Sequence, residues 1–140
     1  MKILLACDGS EYTRKMIGYV LNQRGLFDQS HEYTAFNAQI PLPNHAASVV
    51  GSHATHAYYE EEARKVIDPV VERLQGQGLR ATSAWKAGPL GETIADFAQK
   101  HGFDLIIMGS HGHGALGRLV MGSVANRVLA HCTVPVLLVR

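Results

Sequence analysis

The sequence predicts an α/β fold, a five-stranded doubly wound parallel sheet of order 3-2-1-4-5 inside a three-layer α/β/α arrangement. Short apolar segments of strand length alternate along the 140 residues with longer segments of helical periodicity. Residues 3–7 and 105–108 are almost wholly apolar, which is typical of strands buried on both faces. These two segments are therefore placed at the centre, and the more polar third strand is placed at an edge.

The first half of the chain is predicted to contain two strands and two helices. Strand one covers residues 3–7, and Ser10 is a suitable N-cap for a helix over residues 11–24. Residues 32–38 form strand two. Residues 40–52 are interrupted by two prolines and a glycine, so we expect a loop, long enough to close over a site as a lid. A helix follows over residues 53–75, with Pro69 as a candidate for a kink.

The second half supplies three strands and two helices. Strand three over residues 79–86 alternates apolar and polar side chains, as an edge strand does. A helix over residues 90–100 and strand four over residues 105–108 follow. The next helix is expected over residues 120–131, with Val120, Val124, Val128 and Leu129 on its apolar face. Residues 134–139 form strand five.

Composition favours one domain over residues 1–140 that works in the cytoplasm. The formal net charge is +1 and no basic run is present, so we expect no nucleic-acid partner. No segment approaches the roughly 20 apolar residues of a membrane span, so we expect no membrane partner. The opening apolar run is too short for a signal peptide. Cys7 and Cys132 lie in apolar patterns, which predicts buried free thiols rather than a disulfide.

A glycine pattern after strand four predicts a phosphate site. Gly109-Ser110-His111-Gly112 is followed, nine residues later, by Gly122-Ser123. A glycine loop between a strand and a helix presents backbone N–H groups and the positive end of the helix dipole to an anion. Asp8 ends strand one and Gly109 ends strand four, where the winding of the sheet reverses. Ligands of open α/β sheets bind at that reversal, so a nucleotide is expected there.

This spacing resembles the G-x2-G-x9-G-[S/T] signature of the ATP-binding type of universal stress protein. The resemblance extends over the whole chain, including Asp8-Gly9-Ser10, the Gly88-Pro89 turn, the strand that ends at Gly109, and the closing segment from Val134 to Val139. It implies a fold of the adenine nucleotide alpha hydrolase type. It also implies a dimeric ATP-binding regulatory module of the stress response, with ADP or AMP as alternative ligands.

The resemblance also implies a role for each matched residue. Asp8 would bind ribose hydroxyls or a phosphate-bound Mg²⁺, and the backbone of Ala38 would meet the adenine edge. The remaining contacts are Met108 and Gly109 along ribose and adenine, Gly112, Gly122, Ser123 and Val124 on the phosphates, and Arg118 on the outer phosphates. Two departures are present: Phe36-Asn37-Ala38 replaces a pattern in which histidine is common, and Thr13 stands where a small apolar residue is usual, which we treat as minor.

Strand five is apolar yet is placed at an edge of the sheet, and such an edge needs a partner or a cover. The resemblance implies antiparallel pairing of this strand with a second copy across a twofold axis. Val136, Leu138 and Val139 would form that homodimer interface.

Several alternative interpretations stay open. The same site would serve a slow ATPase or a nucleotidyl transferase, although no lysine and no evident water-orienting base accompany the loop. A structural dimer that binds nothing is a third possibility. Asp8 and Ser123 are also suitable helix caps. Three further sets of residues are undecided: His45, His53 and His56 as metal ligands or surface residues, His111 and His113 as ligand contacts or surface residues, and Arg118 as a solvated side chain.

Overall fold

The chain alternates strands and helices from end to end. A computed structural model describes residues 1–113 and 121–140, apart from the side chains of residues 46, 47 and 50. Its elements, in chain order, are β1 (Lys2–Ala6), α1 (Glu11–Asn22), β2 (Glu32–Gln39), α2 (Asn44–Val50), α3 (Ser52–Gly76), β3 (Arg80–Ala87), α4 (Leu90–Lys100), β4 (Leu105–Gly109), α5 (Ser123–His131) and β5 (Val136–Val139).

The five strands form one parallel sheet in the predicted order β3-β2-β1-β4-β5. In β1, Ile3, Leu4 and Leu5 are completely buried, as are Ile106 and Ile107 of β4. Strands covered on both faces carry continuous apolar runs, which is why these two segments lie side by side near the centre. The winding of the sheet reverses between them.

Two hydrophobic cores lie on opposite faces of the sheet. Because successive side chains of a strand point to opposite faces, Ile3 and Leu5 face the layer of α1 and α3. Leu4 and Ile106 face the layer of α4 and α5. The three-layer arrangement predicted from the sequence is therefore confirmed.

Two predicted elements are wrong in part. Residues 40–52 are not a simple loop, because α2 occupies Asn44–Val50 within them. The helix expected from residue 120 begins at Ser123, since Gly122 has an extended backbone (φ −62°, ψ 153°) and precedes the first helical turn. Val120 lies outside the described residues. Leu129, expected on the apolar face of that helix, is 45% exposed.

Other boundaries differ by one or two residues. β5 begins at Val136 rather than residue 134, and β3 begins at Arg80 rather than residue 79. α3 continues through Pro69 to Gly76. Both cysteines are free as predicted, but only Cys7 is buried, and Cys132 is half-buried. Within the described parts of the chain, no helix is long and apolar enough to cross a membrane.

Candidate functional site

At the carboxyl end of the sheet, the central strand stops before its neighbours do. The ladder between β1 and β2 ends where Ala6 lies opposite Phe36. β2 stays paired with β3 as far as Gln39, and β4 stays paired with β5 as far as Gly109. The result is a notch in the sheet edge, with the end of β1 as its floor and the ends of β2 and β4 as its walls. It coincides with the reversal of winding, where α/β sheets bind ligands.

The wall formed by β2 presents backbone groups to the notch. Cys7 N–H donates to the Phe36 carbonyl over 2.8 Å, and Gly88 N–H donates to the Gln39 carbonyl over 2.9 Å. Backbone groups of a strand alternate in direction, so Ala38 turns its N–H and C=O to the same side as Phe36, beyond the last pair of the ladder. The N–H and C=O of Ala38 therefore lie side by side at the notch, and the role of Ala38 at an adenine edge stays a prediction.

Asp8 forms the floor of the notch, in the turn between β1 and α1. Gly9 takes a left-handed conformation there (φ +80°). The Asp8 Oδ1 atom accepts hydrogen bonds of 2.9 Å from both Ser10 N–H and the Thr13 hydroxyl. Ser10 caps α1, as predicted, because its hydroxyl accepts from Tyr12 N–H at 3.2 Å. The turn and the first helical turn thus hold the carboxylate from one side.

The pKa of Asp8 lies below its ordinary value. Partial burial raises this pKa, but the hydrogen bonds from Ser10 and Thr13, together with the nearby His113, outweigh the burial. The carboxylate is therefore ionised at neutral pH. Its other oxygen, Oδ2, faces Gly112, because a Cβ atom added to Gly112 would overlap it.

The three signature glycines within the described residues pack too closely for side chains. A Cβ atom on Gly109 would lie 2.6 Å from Cβ of Tyr12. One on Gly122 would lie 3.0 Å from the Ser110 carbonyl, which already accepts from Gly122 N–H at 2.8 Å. The glycines bring the β4 loop against α1 and onto Asp8, so their spacing has a packing reason as well as the predicted ligand role.

Both histidines of the loop make polar contacts. His113 Nε2 lies 2.8 Å from the Asp8 carbonyl, and because a carbonyl only accepts, Nε2 carries the proton and donates. The hydroxyl of Ser110 and His111 Nδ1 lie 2.9 Å apart, and the His111 ring is 5.3 Å from the ring of Tyr12. His113 therefore joins the β4 loop to the β1–α1 turn.

An open depression of about 380 Å³ lies between these two segments, lined by Gly9, Ser10, Glu11, Tyr12, Arg14, Gly112 and His113.

Comparison with known proteins agrees with this fold. The family model of the universal stress protein family matches residues 1–140. The chain belongs to the universal stress protein family. It is 28% identical to universal stress protein MJ0531 of Methanocaldococcus jannaschii over 140 residues, which cover 99% of this chain and 81% of that protein. The solved structure of MJ0577, from the same organism, matches with a TM-score of 0.82 and 26% identity, covering 99% of this chain and 94% of that one.

Two more distant solved structures are described with nucleotides. The universal stress protein of Archaeoglobus fulgidus in complex with dAMP has a TM-score of 0.69 and 19% identity, over 100% of this chain and 98% of that one. A family member from Arabidopsis thaliana with AMP bound has a TM-score of 0.70 and 12% identity, and the match covers 99% of this chain and 90% of that one. At these identities the likeness shows the shared fold.

The structure of this universal stress protein brings most of the predicted site residues to one end of the sheet. Asp8, Ala38 and Gly109 border the notch, and Gly112 lies against Asp8. Met108 is buried in the core shared with α4 and α5. Gly122 is the N-cap of α5, and Ser123 and Val124 are its first two residues. Arg118 lies outside the described residues.

Two interpretations of individual residues need correction. Ser123 does not cap α5, because Gly122 holds the N-cap position and Ser123 is the first helical residue, exposed to solvent. Thr13 is not a minor departure, since its hydroxyl binds both the backbone and the carboxylate of Asp8. The sequence signal for Thr13 was its place three residues after the N-cap Ser10, where side chains reach back to the preceding turn.

The metal interpretation of the histidines finds no support. Among residues 1–113 and 121–140, no three His, Cys, Asp or Glu side chains come together as metal ligands. His45, His53 and His56 are among the described residues, so this finding applies to them. Asp8 alone would offer one carboxylate oxygen to Mg²⁺, and Mg²⁺ commonly completes its coordination with substrate phosphates and water.

Proposed function

We propose that this universal stress protein binds an adenine nucleotide, ATP with Mg²⁺, in the notch, and acts as a dimeric regulatory module in stress response. One juxtaposition carries the proposal: an ionised Asp8 at the floor lies between the end of β4 and the backbone edge of Ala38, which extends beyond the last pair of the β1–β2 ladder. A nucleoside needs an acceptor for its ribose hydroxyls and an edge for its base, and the notch supplies both.

The backbone of Ala38 suits adenine. The base carries an amine donor next to a ring-nitrogen acceptor, which complements one C=O and one N–H. The Ala38 methyl packs into the core that includes Phe36 and Met108, so the strand end is held in place. The nucleotide-bound relatives from Archaeoglobus fulgidus and Arabidopsis thaliana support an adenine ligand over other bases.

The phosphates would lie towards the loop after β4. Backbone N–H groups of Gly112 and of the first turn of α5, at Ser123 and Val124, are the candidate donors, aided by the α5 dipole. Gly122 N–H already donates to the Ser110 carbonyl, so Gly122 would allow close approach of the phosphates rather than donate to them. Asp8 Oδ2 would accept from the ribose or hold Mg²⁺, and Met108 and Gly109 would line the ribose and base. Arg118 stays a prediction for the outer phosphates.

Titration calorimetry with Mg·ATP tests nucleotide binding. Asp8→Asn should weaken binding at least tenfold, because a hydrogen bond to a charged group contributes about 1.5–3 kcal/mol. Asp28→Asn is a matched control: Asp28 accepts from Ser30 N–H at 2.8 Å in an equivalent turn far from the notch. Absence of binding by the unaltered protein, or equal losses in the two variants, contradicts the proposal.

A phosphate-release assay separates binding from turnover. We expect release at background level from the unaltered protein. Release that disappears in both Asp8→Asn and Ser123→Ala would favour the ATPase alternative at this site. Release that persists in both variants would arise elsewhere.

The proposed dimer uses β5, which is an edge of the sheet. Val136 and Leu138 pack towards the α4–α5 core and Val139 towards the other core, and all remain partly exposed. Ser110 N–H donates to the Val139 carbonyl, so Val136 and Leu138 turn their backbone groups outward. Val136→Pro removes an outward N–H without touching the ladder to β4. Sedimentation should show a dimer for the unaltered protein and a monomer for the variant. A monomer in both contradicts the proposal.

A further inference from the structure

We infer that Thr13 is a positioning residue for the nucleotide: its hydroxyl commits Asp8 Oδ1 to the protein and leaves Asp8 Oδ2 for the ligand. The inference rests on the proposed function, and it assigns a role to a residue outside the glycine signature. Thr13 does not contact the ligand in this scheme and acts through Asp8.

Every hydrogen-bonding position of the Thr13 hydroxyl is occupied. A hydroxyl donates one hydrogen bond and accepts two. Thr13 Oγ1 donates to Asp8 Oδ1 at 2.9 Å and accepts from Asp8 N–H at 3.0 Å and Gly9 N–H at 3.2 Å. Because no capacity is left over, the hydroxyl serves the β1–α1 turn alone.

The position of Thr13 explains this reach. It is the third residue of α1 and follows the N-cap Ser10 by three positions. In the usual capping box, the side chain at this position returns to the N-cap N–H. Here Asp8 Oδ1 takes the Ser10 N–H, and the Thr13 hydroxyl reaches one step further back. The carboxylate is thereby fixed to a helix rather than to a loop.

Two bonds on Oδ1 fix the orientation of the carboxylate that the ligand meets. The terminal torsion of an aspartate is broad, so a carboxylate held by one hydrogen bond turns over a wide range of angles. Ser10 N–H alone would allow that rotation. The added donor from Thr13 narrows the range and keeps the second oxygen, Oδ2, facing Gly112.

A double-mutant cycle tests the inference, with the dissociation constant for Mg·ATP measured by calorimetry. Thr13→Val keeps the branched shape and should weaken binding about tenfold. In an Asp8→Ala background the same change should have no further effect, because the side chain through which Thr13 acts on the ligand is gone. Thr13→Ser retains the hydroxyl and should restore tight binding. Thr93→Val is the matched control, since Thr93 is buried to a similar extent (7% exposed against 6%) in α4.

The outcomes are distinct. Failure of the unaltered protein to bind Mg·ATP overturns the proposed function and this inference together. Binding by the unaltered protein with an unchanged constant in Thr13→Val overturns the inference alone. An equal loss in both Asp8 backgrounds also overturns it, because that pattern indicates a structural effect on the fold. Should Thr13→Val fail to fold, Thr13→Ala takes its place in the same cycle.

Discussion

Gly112→Ala tests the contact between the β4 loop and Asp8 most directly. The backbone of Gly112 does not lie in the left-handed region, so alanine meets no conformational barrier there. Its Cβ atom, however, would overlap Asp8 Oδ2. Either the carboxylate turns away or the loop moves outward, and both movements disturb the notch.

The size of the effect follows from what holds Asp8. Turning the carboxylate breaks its bonds from Ser10 N–H and the Thr13 hydroxyl, both 2.9 Å long. Hydrogen bonds to charged groups contribute about 1.5–3 kcal/mol each, while steric overpacking relieved by backbone movement typically costs about 1–3 kcal/mol. The movement that costs less free energy determines the outcome, so we expect the free energy of unfolding to fall by about 1–3 kcal/mol. Nucleotide affinity should fall tenfold or more, because Oδ2 no longer lies where the ligand meets it.

The assay pairs chemical denaturation with calorimetric titration of Mg·ATP. Gly25→Ala is the control, because a Cβ atom at Gly25 meets no atom within 4 Å and its backbone is not left-handed. Gly112→Ala should change both stability and affinity, and Gly25→Ala neither. Unchanged stability and affinity in Gly112→Ala would refute the close approach of Gly112 to Asp8, and with it the assignment of Oδ2 to the ligand.

Three further predictions concern stability and reactivity. Gly18→Ala in the middle of α1 meets no atom within 4 Å, so it should stabilise the protein by about 0.5–1 kcal/mol in urea denaturation. Gly91→Ala should destabilise it by about 1–3 kcal/mol in the same assay, since its Cβ would overlap Arg127 across the α4–α5 contact. Burial, then the charge of Asp8, raises the pKa of Cys7 from 9.0 to about 12. The folded protein therefore holds this proton longer than the unfolded chain, so stability should fall as pH rises above 9.0, and less so in Cys7→Ala.

The sheet was predictable because burial leaves a clear pattern. The apolar runs at residues 3–7 and 105–108 have no polar face, so they had to lie between two helical layers. The polar alternation of β3 likewise predicted its edge position. From strand order alone, the topological rule then placed Asp8 and Gly109 at one crevice, which the ladders confirm.

Short-range backbone details were less predictable. The prolines at positions 41 and 43 suggested a loop, yet α2 begins directly after them, and Gly51 at φ +83° separates it from α3. A proline before a helix does not oppose it, since only interior positions lose a backbone bond. α5 likewise begins later than predicted, at Ser123, because the backbone of Gly122 is extended. The apolar periodicity near residue 120 does not indicate the backbone conformation of the residue before a helix.

The side chains that shape the notch were the least predictable, and Asn37 shows why. Its position in β2 indicated only a departure from the histidine common there. In the structure it is buried, its Nδ2 donates to the Cys7 carbonyl at 2.7 Å, and its Oδ1 accepts from Gln39. Buried polar groups need such partners, and Asn37 supplies one to the Cys7 carbonyl directly after β1. With that carbonyl occupied, the backbone edge of Ala38 and Asp8 Oδ2 are two polar groups at the notch that the described residues leave for a ligand. Under the proposed function, selectivity for a nucleoside would arise from which polar groups the protein has already satisfied.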